Sequence, residues 1–102
     1  MADPNDLIHQ ATRLKIMSVL NAMPAGEGLE FLRLKAIAQA TDGNLGAHLA
    51  TLEKAGYVTI KKDIVGKRTR TRAMITRAGR RAYDAHLLFL HGIIAGQVPD
   101  ET

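Results

Sequence analysis

The 102-residue sequence predicts one mainly α-helical domain carrying a small β-hairpin. Three observations predict it. Apolar residues recur at helical spacing in four separate stretches. Between Tyr57 and Ile75 the pattern changes to alternation, with Gly66 near its middle. Capping and helix-breaking residues fall at the joints between these stretches.

The first helix reads from Asp3 to about Met23. Asp3 can cap it, Pro4 suits the first helical position, and Asp6 favours the positive end of the dipole. Leu7, Ile8, Ala11, Leu14, Ile16, Met17, Val19 and Leu20 build its apolar stripe; Pro24, Gly26 and Gly28 end it. A second helix spans about Leu29 to Ala40, with Phe31, Leu34, Ile37 and Ala38 on its apolar face and Leu32 on the flank. Thr41-Asp42-Gly43-Asn44 interrupts the pattern, and either Thr41 or Asp42 can cap a third helix, from Asp42 to Ala55. There Leu45, Leu49 and Leu52 fall at i, i+4 and i+7, the narrow stripe of a helix docked along one side, and Gly56 supplies the left-handed end. Tyr57 to Lys62 and Thr69 to Ile75 read as two antiparallel strands with a basic tip, Gly66-Lys67-Arg68. On the second strand Thr71, Ala73 and Ile75 face one way, and Arg70, Arg72 and Met74 the other. Thr76 caps a last helix from Arg77 to about Ala95. One of its rows is Ala82, His86, Phe89 and Ile93; the other is Tyr83, Leu87, Leu90 and Ile94.

Charge is distributed unevenly. The net is +4, but residues 61–81 hold nine basic residues against the single acid Asp63, a local charge of +8, so the remainder carries −4. Such asymmetry points to a polyanionic partner or to a solvated charged hairpin. For Arg77, Arg80 and Arg81, ion pairs with acids such as Glu53 or Asp84 compete with a role toward that partner.

Three helices followed by a β-hairpin suggest a winged helix. The second and third helices, about residues 29–56, form a helix-turn-helix unit; the wing covers about 57–76 and the C-terminal helix about 77–95, all within one domain over residues 1–102. In such a unit the second helix of the pair enters the major groove. Its free face must be small or capable of hydrogen bonding. The candidate recognition residues are Asp42, Gly43, Asn44, Ala47, His48, Thr51 and Lys54, with Gly46 among them keeping the face small. Asn can pair with adenine, Thr can meet base edges or phosphate, and Lys54 is directed toward phosphate. The candidate wing contacts are Lys67, Arg68, Arg70 and Arg72.

Thr41-Asp42-Gly43-Asn44-Leu45, His48-Leu49, Leu52-Glu53 and Ala55-Gly56-Tyr57-Val58 together resemble the recognition-helix signature of small winged-helix transcriptional regulators related to the multiple-antibiotic-resistance and arsenic-type repressors. Arg13 to Leu20, Phe31-Leu32, Gly66, and Thr76 with Gly79-Arg80 extend the resemblance over about residues 7–93. Gly46 stands where that family often has serine, Thr69 where it often has proline, and Ala73 where an aromatic is frequent. The resemblance implies a homodimer built by the last helix together with the first. The implied interface residues are Leu7, Tyr83, Leu87, Leu90 and Ile94, and the partner is double-stranded DNA with a pseudo-palindromic site.

Other classes fit less well. The absence of cysteine excludes disulfides, thiolate zinc sites and cysteine nucleophiles, and the histidines lack metal-ligand spacing, so neither metal nor cofactor is expected. The only serine, Ser18, lies inside a helix, and no phosphate-cradling glycine loop follows a strand, so no catalytic residue and no enzyme is expected. With two Phe and two Tyr, stacking platforms for RNA are scarce. A winged-helix protein-interaction module without specific DNA binding is the remaining alternative. No apolar run is long enough for a membrane span and no signal segment opens the chain, so a cytoplasmic location is expected.

Overall fold

The computed structural model describes residues 6–96. The cap expected at Asp3-Pro4 and the tail after Gly96 lie outside the described residues. Five helices and three strands follow in order: α1 (Asp6–His9), α2 (Ala11–Asn21), β1 (Leu29–Glu30), α3 (Phe31–Ala38), α4 (Asp42–Lys54), β2 (Val58–Val65), β3 (Arg68–Ile75) and α5 (Arg77–Ile94). All strand pairings are antiparallel and the sheet order is β1-β3-β2. The mainly helical fold with a small hairpin is the one the sequence predicts.

Ile8, Ile16, Met17, Leu20, Leu34, Leu45 and Leu52 are completely buried, and Leu49, Val58, Ala73 and Ile75 close the core around them. Leu45, Leu49 and Leu52 are the stripe read from the sequence, and they fix α4 against the body. The opposite face of α4 is therefore turned outward.

Three local features differ from the sequence expectation. The first helix is interrupted at Gln10, whose extended backbone and side-chain oxygen cap a new helix; Oε1 accepts from the Thr12 and Arg13 N–H groups at 3.1 and 3.3 Å. Leu29–Glu30 is not the start of a helix but a two-residue strand, pairing with Ala73 and Arg72. It is too short to leave a periodic signal. Finally, α3 ends two residues early, because Gln39 takes a left-handed conformation (φ 53°).

The hairpin is longer than predicted, with eight residues in each strand and Val65 opposite Arg68. Its two-residue loop, Gly66-Lys67, begins with Gly66 at φ 64°. Positive φ at the first loop position is the requirement of a type II′ hairpin turn, which a glycine meets without strain.

Thr76, Gly79 and Arg80 join the wing, α5 and α2. The Thr76 N–H donates to the Tyr57 carbonyl at 2.9 Å. Its hydroxyl donates to the Gly56 carbonyl at 2.6 Å and accepts from the Gly79 N–H at 2.9 Å. Arg80 donates to the Asn21 and Met23 carbonyls at 2.9 and 2.7 Å, satisfying the exposed end of α2. Arg80 therefore pairs with backbone carbonyls rather than with Glu53 or Asp84. Deeper along α5, Tyr83 turns into the core and its hydroxyl lies 2.8 Å from Ser18 Oγ.

Candidate nucleic-acid interface

Thr41, of the two possible caps, begins α4: its Oγ1 accepts from the Asn44 N–H at 3.1 Å. The Asp42 carboxylate points back to α3, where Lys35 Nζ lies 2.7 Å away. Asp42 thus bridges the two helices of the helix-turn-helix unit and presents an acid already paired. Asn44, Ala47 and Lys54 are exposed, and His48 and Thr51 are half-buried. The Thr51 hydroxyl donates to the Ala47 carbonyl one turn earlier, at 3.0 Å, so its hydrogen is committed within the helix and the oxygen can still accept. His48 is held below its ordinary value of 6.5, first by burial and second by the charge of Arg13 on α2. At neutral pH its ring is uncharged, with one nitrogen donating and one accepting.

Two glycines of α4, Gly43 and Gly46 (the latter on the flank toward the wing), have no reason inside the protomer. A methyl group added at Gly43 or Gly46 would meet no atom within 4 Å. A glycine inside a helix costs about 1 kcal/mol relative to alanine. At Gly46, inside α4, that cost is retained although packing within the chain does not demand it.

The wing stands beside this helix, and an open cleft lined by Leu49, Ala50 and Glu53 of α4 and Ile60, Lys62 and Thr71 of the hairpin separates them. Lys67 and Arg68 are exposed at the tip. Arg70 and Arg72 are placed differently. Cross-strand register sets Asp63 opposite Arg70 and Lys61 opposite Arg72, on one face of the sheet. Arg70 grips Asp63 with a two-pronged fork, Nε to Oδ1 at 3.1 Å and Nη2 to Oδ2 at 2.9 Å, and Arg72 Nη2 donates to the same Oδ2 at 3.2 Å. The single acid of the basic segment thus sits between two of its arginines, and of the four wing cations Lys67, Arg68, Arg70 and Arg72 the two at the tip are presented without such a partner. Charge counting along the chain could not reveal this, because it ignores register.

The Arg70 hydrogen bonds, joined by the charges of Arg70 and Arg72, hold the Asp63 carboxyl below its ordinary 3.8. A carboxylate depressed in the folded state adds stability above its unfolded value and loses that contribution as pH falls through the folded value. The wing fork is therefore expected to persist through pH 4. Carboxyl NMR should place the Asp63 midpoint below 3.8 in the native protein, and Arg70→Ala should move it upward; an Asp63 that titrates at 3.8 in both proteins contradicts the pairing.

Residues 12–94 match the family model described as a winged helix DNA-binding domain. The chain belongs to that winged-helix family. An uncharacterized protein of Methanocaldococcus jannaschii is 36% identical over 81 residues, covering 79% of this chain and 85% of that one. Among solved structures, a transcriptional regulator homologue from Pyrococcus horikoshii OT3 superposes with a TM-score of 0.80 at 28% identity, covering 90% of this chain and 88% of that one. A regulator of the MarR family from Silicibacter pomeroyi shares the fold (TM-score 0.62, 22% identity), with the match covering 94% of this chain and 64% of that one. The resemblance to small winged-helix regulators read from the sequence is thereby upheld.

Within this winged-helix domain, the residues expected to form a dimer divide by exposure. Leu7, Leu87 and Leu90 are half-buried, Ile94 is exposed, and Tyr83 is part of the protomer's own core. Among the described residues no group of three or more His, Asp or Glu side chains could hold a metal ion. No described helix is long and apolar enough to cross a membrane.

Proposed function

We propose that this winged-helix protein is a transcriptional regulator that binds a pseudo-palindromic duplex as a homodimer, with α4 in the major groove and the wing tip on the neighbouring backbone. The observation that carries the proposal is the outward face of α4. It offers Asn44, Ala47, His48 and Thr51, and Gly46, on the flank toward the wing cleft, has a small size that serves nothing within the protomer. A helix face kept this small fits close approach to base edges, and Asn44 offers a pairing group for adenine. Lys67 and Arg68 add exposed positive charge where a phosphate backbone would run. The homodimer rests on α5, whose apolar row continues past the point where the protomer covers it. Two-fold pairing would set the recognition helices about 34 Å apart, one DNA turn.

Selection of bound sequences from a random duplex pool tests the proposal. It should return a two-fold symmetric site, and affinity for it should fall with added salt by about 0.9 log unit per log salt for each phosphate contacted. Gly46→Ala should separate folding from binding: unfolding free energy rises by about 1 kcal/mol through helix propensity, while affinity for the selected site drops. Absence of any preferred sequence, together with unaltered affinity in Gly46→Ala, would refute the assignment and favour a protein-interaction role.

A further inference from the structure

Arg13 lies in the first turn of α2, an end of the helix where the dipole disfavours a cation. Its side chain is partly buried, and its Nε is shielded from solvent without a hydrogen-bond partner. Among the described residues no carboxylate pairs with it. Helix α2 packs against α4, and the charge of Arg13, after burial, opposes protonation of the His48 ring. Among the described residues the guanidinium makes no ion pair, and its outer Nη donors, unlike the shielded Nε, could serve an anion arriving beside His48.

We propose that Arg13 is a further DNA-backbone contact, taking a phosphate at the margin of the groove that α4 enters. The assignment rests on the DNA-binding reading above and adds a helix outside the helix-turn-helix unit and the wing. It explains why the chain retains a charged residue where helix dipole and burial both disfavour one. Arg13 acts on affinity rather than on sequence choice, because a phosphate carries no base information. The Gln10 side chain, by capping the Thr12 and Arg13 N–H groups, fixes the turn from which the guanidinium projects.

Arg13→Gln keeps the apolar stem and removes the charge. Against the selected duplex, the log–log salt slope of this variant should be shallower than that of the native protein by about 1.8, about 0.9 for each of the two Arg13 residues of the dimer. Affinity should fall about tenfold per contact at 0.1 M salt, about a hundredfold for the dimer, while random-pool selection returns the same sequence. Arg13→Lys should retain the native slope, since the charge remains. Thermal unfolding of both variants should stay at or above the native midpoint, because no intramolecular ion pair is lost. An unchanged slope in Arg13→Gln, measured beside a Lys67→Ala, Arg68→Ala protein whose slope does flatten, overturns the assignment and leaves the DNA-binding reading standing. A native protein with no salt-dependent duplex binding overturns that reading and this assignment together.

Discussion

Gly79→Ala is expected to destabilise the protein by about 3 kcal/mol, near the upper end of the range for a group forced into a filled space. For a domain of this size that corresponds to a fall in Tm of about 12–24 °C. Helix propensity argues the other way, since alanine is favoured over glycine inside a helix by about 1 kcal/mol. The geometry decides which effect wins. A Cβ at Gly79 would collide with the Tyr57 carbonyl oxygen and stand 2.9 Å from the Ile75 side chain. The Tyr57 carbonyl cannot retreat freely, because it accepts the Thr76 N–H bond that starts α5, and the adjacent Gly56 carbonyl accepts the Thr76 hydroxyl. Thermal unfolding of Gly79→Ala beside Gly46→Ala gives a direct contrast. The same substitution in two helices should change stability with opposite sign, and a rise in Tm for both would show that the joint at Gly79 is looser than these contacts indicate.

The parts of this fold that were legible in the sequence are those governed by long periodic patterns. The stripe Leu45, Leu49, Leu52 placed α4 and defined its free face, and the alternation up to Ile75 placed the wing. What was not legible depends on side chains meeting across the fold. The Gln10 cap breaks the first helix through hydrogen bonds made by a residue type that carries no strong capping signal. Strand β1 exists because Leu29 and Glu30 find β3, not because two residues favour extension. Arg80 read as a possible anion contact and instead closes the end of α2. Asp63 read as a single acid subtracted from a +8 segment, and it holds two of the arginines counted there. The candidate site is therefore narrower at the wing than charge counting suggested, and the proposed Arg13 contact would widen it on the side of α2.

Changing Ile93 and Ile94 together to Asp is expected to leave the protomer folded, abolish the dimer and weaken binding to the full DNA site by about 10²–10⁴-fold. That range is the gain available when a second recognition helix binds as part of the same molecule. One apolar row of α5 passes from the core to the surface. Tyr83, Leu87, Leu90 and Ile94 follow each other at spacings of four, three and four residues and share a face of the helix. Tyr83, at the start, is 9% exposed and seals the core beside Ser18, whereas Ile94, at the end of the same row, is 81% exposed. Ile93 beside it is 50% exposed. The face does not change character along its length; the protomer simply stops covering it. A second copy meeting this row across a two-fold axis would bury it and fix the separation of the two α4 helices. Because neither isoleucine supports the core, circular dichroism and thermal unfolding at low protein concentration should be little altered by the double change. Sedimentation should give twice the protomer mass for the native protein and the protomer mass for the variant. A native protein that sediments as a monomer, or a double variant that remains dimeric with full affinity, would place the dimer contact elsewhere or remove it.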